Sequence, residues 1–494
     1  MANYTKKSIK GTIIIFILTL FAAIIAYSFR ILLARRFTIL EYGSFYAILS
    51  FLSLFSIFQD LGLLTALTKY ISEFKTKNNL KDIKNSILIV FIILLLVNLL
   101  LGTLFIIFSD YFALVFLHNI NLSIYIKVCT ISVMLSPLLS VFKAIFQGYH
   151  QMFYFSLIDF LQTTLVFLLS FIFIELGFGL VSPFLAYILM FLLFIPFYLI
   201  FIKKTFPSFW KFKFNFEKIL SKKLIKFGLA VILTCAAGII FNYSDTVMIA
   251  FFRSLQEVGL YNSAYPTAKV LWMLSGALTL VLLPISSELW VKKDIFRLKE
   301  GIKLLYKYSF ILVIPASLVF FVFPDFILLF LFGLEYTAAS NVLRLLSIGT
   351  IFYIIFQINN SILMGIGKPE QVSKVMLFAA LLNLIGNFIL IPPYGIIGAT
   401  ISTIISFIII AFLSFSKLNK IISIDFVFKE FLLILFNSIV FLITLYLVKI
   451  YLIANVWIIL ITSLILGSIV YLIGLFLFKI ITLEDIKMII NRLK

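Results

Sequence analysis

The sequence predicts an all-α polytopic membrane protein with about fourteen transmembrane helices. Three observations lead there. Apolar runs of about twenty residues follow one another almost from end to end, as in Gly11 to Phe29, Tyr42 to Leu67, Ile87 to Phe108 and Phe431 to Val448. Hydrophobic residues make up 63% of the 494, with a mean hydropathy of +1.21, which is more apolar surface than a water-soluble globule can hide. The charged residues collect in the short gaps between runs. At 1.5 Å per residue, about twenty residues cross a hydrocarbon core about 30 Å thick. Lipid offers the backbone no hydrogen-bond partner, so each span must be a helix or a strand of a closed barrel. Barrel strands would read as alternating segments of about ten residues, whereas these runs are long and continuous.

In order, the expected spans lie near 11–34, 42–67, 86–108, 124–146, 154–175, 179–202, 225–251, 257–289, 303–323, 340–364, 371–391, 394–416, 430–448 and 453–478. The first is too long for a signal peptide and lacks a clear cleavage site, so it is expected to remain as a span. The longest polar stretch, 203–226, is too short to fold separately. With these spans, lysine and arginine fall mainly on one side: Lys6, Lys7 and Lys10, the group from Lys69 to Lys84, eight lysines from Lys203 to Lys226, and the cluster from Lys292 to Lys303. Lys368, Lys417, Lys420, Lys429, Lys479, Lys487, Arg492 and Lys494 follow suit, while the other side keeps only a few, such as Arg35, Arg36, Arg253 and Lys449. The positive-inside rule makes the basic side cytoplasmic and puts both termini there, for a protein of the cell membrane. The net charge of +20 is then met by anionic headgroups and calls for no nucleic-acid partner.

An internal repeat follows. Glu41-Tyr42-Gly43-Ser44-Phe45-Tyr46 resembles Glu257-Val258-Gly259-Leu260-Tyr261-Asn262, at an offset of 216. Gln147-Gly148-Tyr149 lines up with Met364-Gly365-Ile366 at 217, and Gly177-Phe178-Gly179-Leu180-Val181 with Pro393-Tyr394-Gly395-Ile396-Ile397 at 216. Three matches at nearly one offset, each at the same place in the span pattern, indicate duplication. The expected organisation is a six-helix lobe over 1–202, a basic linker over 203–226, a second six-helix lobe over 227–416, and two additional helices with a tail over 417–494. An even-numbered unit gives both copies one orientation, and transporters built from such repeats place their substrate between the halves.

Four stretches carry a family resemblance. They are Ala34-Arg35-Arg36-Phe37 through Glu41-Tyr42-Gly43 with Gln59-Asp60-Leu61-Gly62-Leu63 and Thr68-Lys69-Tyr70-Ile71; Asp245-Thr246-Val247-Met248-Ile249 leading to Glu257-Val258-Gly259-Leu260-Tyr261 and Ala264; Phe332-Gly333-Leu334-Glu335-Tyr336 with Ala338, Ala339, Val342, Leu343 and Arg344; and Gly365-Ile366-Gly367-Lys368-Pro369, then Asn383, Asn387 and Ile391-Pro392-Pro393-Tyr394-Gly395. Over about residues 10 to 416 the sequence resembles the polysaccharide (O-antigen type) flippases of the multidrug/oligosaccharidyl-lipid/polysaccharide exporter superfamily. The resemblance implies two six-helix bundles in a V with a polar cavity between them. It also implies that the protein moves a polyprenyl-diphosphate-linked oligosaccharide from the cytoplasmic to the outer leaflet, in concert with glycosyltransferases and a polymerase. A drug/cation antiporter of the same fold, a lipid II flippase and a membrane glycosyltransferase or polymerase are the competing readings. The antiporter requires a carboxylate-dominated cavity, and the glycosyltransferase a sizeable acidic outer loop that this chain lacks, since 109–123 offers only Asp110 and His118.

Ionisable residues inside spans are costly and are candidates for a cavity. Lys269 is the deepest; Arg30 lies in the outer half of the first span, and Asp245 in the outer half of the seventh, one residue from the repeat position of Arg30 and available to pair with it. Asp60 sits in the inner half of the second span, and Arg344 and Asp159 lie near interfaces. Each has a plainer reading: snorkelling for Lys269 and Arg30, helix packing or capping for Asp245 and Asp60, and an interfacial position for Arg344 and Asp159. Asn242, Gln357, Asn383 and Asn387 are candidates for sugar hydroxyls, and bonds between helices explain them at least as well. The expected substrate-binding set is therefore Lys269, Arg30, Asp245, Asp60, Asn242, Asn383, Asn387 and Arg344. Cys129 and Cys235 form no metal or redox spacing, and Gly365-Ile366-Gly367 follows no strand, so neither a metal nor a nucleotide cofactor is expected and the protein is not expected to be an enzyme. Without a nucleotide site, transport would run on the membrane potential or on a proton or sodium ion gradient.

Overall fold

The computed structural model describes residues 2–205, 215–424 and 428–481. Residues 206–214 of the basic linker and the basic residues after 481 lie outside that set. Among the described residues every regular element is helical. Eleven helices are long and apolar enough to cross a bilayer, or twelve if the bent pair Ile39–Leu54 and Ser56–Thr76 forms one span. The shortfall against about fourteen has identifiable places. The Leu255–Val291 helix, 37 residues long, is not among the eleven. The 54-residue Pro369–Ile422 element is a hairpin of two arms broken at Gly395, whose φ of 55° and ψ of −135° no other residue type adopts readily. Its arms are joined by the Ser402 hydroxyl donating to the Asn383 carbonyl at 2.9 Å and the Asn383 amide donating to the Thr403 hydroxyl at 3.3 Å.

The second span departs from the straight 42–67 helix that hydropathy predicts. It bends by 42°, and after the short Ser56–Asp60 helix the chain passes through Leu61 and Gly62 with φ of 51° and 69°. The cause is a close helix crossing: an ideal Cβ at Gly62 would overlap the carbonyl of Gly228, and one at Gly228 would lie 2.6 Å from the carbonyl oxygen of Leu61.

Contacts divide the chain into two compact units, Met1–Gly259 and Leu260–Lys494. In the first, Ala2–Arg36 packs on Met152–Glu175, Leu80–Ile107 on Ser123–Gly148, and Lys218–Phe252 on both Ile39–Leu54 and Leu63–Thr76. In the second, Ser340–Gly365 packs on the hairpin and on Ile295–Val322, which also carries Phe428–Tyr451. Buried polar contacts fix this unit: Tyr306 donates to Asn359, whose amide donates to Ser414 at 3.0 Å. In the last two helices the Asn437 amide donates to the Tyr471 carbonyl at 3.0 Å, and the Tyr471 hydroxyl reaches the Ile311 carbonyl at 3.1 Å.

The repeat is visible in local geometry. Leu80–Ile107 and Ile295–Val322 are both 28 residues long, and their N-caps Asn79 and Asp294 accept from the backbone N–H of Asp82 and Arg297. Ser123–Gly148 and Ser340–Gly365 are both 26 residues long, each preceded by a 3-10 turn and ended by a glycine. Gly179 and Gly395 take nearly the same φ, 57° and 55°. Even an ion pair recurs: Lys127 to Asp110 at 3.2 Å and Arg344 to Asp325 at 3.9 Å.

Candidate functional site

Arg30 and Lys269, the two cations that stand out within apolar runs of the sequence, lie in different units, and each is bedded in aromatic rings. Arg30 projects from Ala2–Arg36 into a cavity of about 180 Å³ bounded by Phe29, Phe45, Tyr46, Gln162, Thr163 and Tyr187. Its guanidinium carbon lies 4.5 Å from the centre of the Tyr46 ring, a cation–π contact, and it hydrogen-bonds to Tyr42. Nη1 is buried without a hydrogen-bond partner. A buried guanidinium N–H left unmade is costly, so this geometry leaves a donor ready for an acceptor that enters the cavity. Tyrosines thus surround Arg30 where the sequence offered Asp245 as a partner: among the described residues no ion pair includes Arg30. Asp245 is buried in Lys218–Phe252.

In the second unit Lys269 lies on Leu255–Val291, partly buried, with its ammonium 4.1 Å from the Tyr265 ring centre and 5.1 Å from that of Trp272. Trp272 stacks on Tyr353 at 3.8 Å and meets Phe407 edge-on, so the ring platform under Lys269 is itself held by Ser340–Gly365 and the hairpin. One turn on, the Ser275 hydroxyl donates to the side-chain oxygen of Gln357 at 2.7 Å. The sequence holds the signal for this platform, aromatic residues four before and three after the lysine, yet it does not reveal the partners from the other helices.

The remaining candidates take scaffold positions. The Asp60 carboxylate accepts from the Leu64 N–H at 3.0 Å and so caps Leu63–Thr76 across the break, which is the capping role left open by its place in the sequence. Asn383 and Asn387 are buried; the Asn387 amide donates to Asn383 at 3.1 Å, and both sit between the arms of the hairpin. Asn242 is exposed and donates back to the Gly238 carbonyl at 2.8 Å. Arg344 donates to the Phe321 carbonyl at 3.2 Å and to Asn341 at 3.0 Å, beside Lys449, which donates to the Val322 carbonyl at 2.7 Å. Two cations therefore satisfy the carbonyl end of Ile295–Val322, the favourable end of its dipole. Asp159 pairs with Lys143, a lysine inside the expected 124–146 span that is not among the sequence candidates. Among the described residues no cluster of histidine, cysteine, aspartate or glutamate could hold a metal ion.

Comparison with known proteins supplies the lineage. Residues 8–290 match the family described as polysaccharide biosynthesis protein, and residues 230–389 match the MatE family. An uncharacterized membrane protein of Methanocaldococcus jannaschii is 33% identical over 460 residues, 90% of this chain and 91% of that protein. The probable low-salt glycan biosynthesis flippase Agl15 of Haloferax volcanii is 28% identical over 210 residues, 42% of this chain and 44% of its own length. Among solved structures, the lipid II flippase MurJ in an inward closed conformation matches with a TM-score of 0.79 at 19% identity, covering 94% of this chain and 98% of that one. An inward-facing multidrug resistance MATE family transporter matches with a TM-score of 0.66 at 16% identity, covering 82% and 94%. At those identities the structures speak for the fold, which is MATE-like, and the sequence matches speak for the family. The chain belongs to the polysaccharide biosynthesis protein family, the polysaccharide-flippase branch of the multidrug/oligosaccharidyl-lipid/polysaccharide exporter superfamily.

Proposed function

We propose that the protein moves a polyprenyl-diphosphate-linked oligosaccharide from the cytoplasmic to the outer leaflet of the cell membrane by alternating access, with both termini in the cytoplasm. The observation that carries this reading is Arg30, a guanidinium whose buried Nη1 lacks a partner at the wall of a cavity. A diphosphate held away from water needs compensating positive charge and hydrogen-bond donors. Arg30 supplies a planar fork of donors suited to phosphate oxygens, and Lys269 supplies a second cation, held over aromatic rings. In this reading both face the substrate path, and tyrosine hydroxyls and Gln162 serve the polar part of the cargo. Moving two negative charges outward across a potential of 100 mV, inside negative, releases about 4.6 kcal/mol, enough to drive net export, and inward movement of a proton or sodium ion would add to it. Glycosyltransferases would supply the substrate and a polymerase would consume it. The cationic cavity favours this reading over a drug/cation antiporter, and family membership supports it over lipid II as cargo.

The test is transport in proteoliposomes containing the purified protein, with a short-chain polyprenyl-diphosphate oligosaccharide in the leaflet equivalent to the cytoplasmic one. The expected result is its appearance in the opposite leaflet, faster when the potential favours outward movement of anions, and no movement of the uncharged polyprenyl glycoside. Extrusion of cationic drugs with no movement of the diphosphate glycan would overturn the proposal.

A further inference from the structure

We infer that a second cavity of the first unit, on which Lys69 and Lys143 converge, docks the phosphate groups of a lipid-borne substrate before they reach Arg30. The inference rests on the flippase reading above. The cavity, about 460 Å³, lies among Leu63–Thr76, Ser123–Gly148 and Met152–Glu175, and its polar walls come from Thr65, Lys69, Ser140, Lys143 and Gln147.

The sequence builds it with one small residue. An ideal Cβ at Gly148 would lie 2.8 Å from Cβ of Ile71 and 3.0 Å from the Thr68 carbonyl oxygen, so two helices touch there almost backbone to backbone. Beside that contact Thr65 and Ser140 are too short to fill the space between the helices. Phe155 closes another wall and carries the Lys143 ammonium 5.0 Å from its ring centre.

The charge balance selects the ligand. Lys143 is paired with Asp159. Lys69 lies 4.1 Å from the ring centre of Phe227 and 4.8 Å from that of Tyr70, and among the described residues no carboxylate pairs with it. Two ammonium groups against one carboxylate leave the cavity one positive charge in excess. Each ammonium has three donors, of which Asp159 occupies only part of one set; the Thr65 hydroxyl and the Gln147 amide add neutral ones, while the Ser140 hydroxyl donates to the Ser136 carbonyl at 3.0 Å. A cation is repelled here by the excess charge, whereas a group with several charged acceptor oxygens meets both ammonium groups at once, and Leu64, Ala144 and Phe155 leave room beside them for the first carbons of its lipid. Because the walls are spanning helices at the end of the fold that carries Lys69, Lys75 and Lys77, the phosphate that arrives is one attached to a lipid.

The experiment is a binding titration of the full-length protein in phosphatidylcholine nanodiscs with glycan-free polyprenyl diphosphate, and with uncharged polyprenol and phosphatidylglycerol as comparators. Lys69 is exposed, so Lys69→Ala should keep the wild-type thermal midpoint. It should weaken diphosphate binding by about ten- to hundredfold, the effect of losing a charged hydrogen bond, while Asp159→Asn should tighten it. Unchanged affinity in Lys69→Ala, or phosphatidylglycerol competing on equal terms, would overturn the inference. Wild-type protein that binds no polyprenyl diphosphate at all would take the flippase reading down as well; normal binding by Lys69→Ala together with intact transport by the wild type would remove only this docking site.

Discussion

The two halves of the sequence echo each other in local backbone geometry and differ in where they keep their charge. Helices of equal length, matching caps and matching positive-φ glycines recur about 216 residues apart. Yet the position 216 residues after Arg30 is Thr246, and the one 216 before Lys269 is Ser53. The first half holds Arg30 on its first helix, among tyrosines with a donor left over; the second holds Lys269 on the following helix, over Tyr265 and Trp272. What recurs is what the local backbone requires, caps, helix lengths and the turn glycine, whereas the break at Leu61 and Gly62 and the placement of the cations do not. The repeated ion pair makes the same point from the other side. Because Arg344 repeats Lys127 in pairing with the acid of a short helix, it belongs to the scaffold, whereas unrepeated cations are the better candidates for cargo.

The largest effects should come from those unrepeated cations. Lys269→Ala is expected to reduce export of lipid-linked glycan by about a hundredfold or more and Arg30→Ala by about tenfold, with normal insertion and amount of protein. Lys269→Arg should retain part of the activity, whereas Arg344→Ala should lower the thermal midpoint more than it lowers export per folded molecule. Full export by Lys269→Ala would break the distinction between repeated and unrepeated charge.

A middle-sized effect should separate the two matched glycines. At Gly395 the ψ of −135° excludes side chains, so Gly395→Ala should cost about 1–3 kcal/mol. An alanine at Gly179 would meet no atom within 4 Å, so Gly179→Ala should cost about 1 kcal/mol, from its positive φ alone. Equal losses in thermal unfolding would mean that the two turns are closer copies than their geometry indicates.

The smallest effect concerns the repeated ion pair. The Ser123 hydroxyl donates to the Asp110 carboxylate and the Lys127 ammonium lies beside it, and together they hold its pKa below the usual carboxylate range. A lowered folded pKa stabilises above the unfolded value, and the contribution fades as pH falls through the folded one. Asp110→Asn should therefore lower the thermal midpoint slightly at neutral pH, with the difference from wild type closing at pH values below about 4. A gap that stays constant with pH would assign the loss to packing.

Membership of the membrane class and the helical fold were legible in the sequence, because each depends on composition or spacing along one chain, and Arg30 and Lys269 stood out there as charges within apolar runs. Hydropathy fixes which segments leave water, and a single charge in a long apolar run is conspicuous. What tertiary structure decided is what each polar residue does, since its partner comes from another helix. Asp60 became a cap because Gly228 crosses at Gly62 and breaks the span. Asn383 and Asn387 became the join of a hairpin because Gly395 turns the chain back on itself. Arg30 kept a donor open because tyrosines, rather than a carboxylate, arrived beside it. One-dimensional pattern records how costly a polar group is in lipid; only packing determines which neighbour offsets that cost.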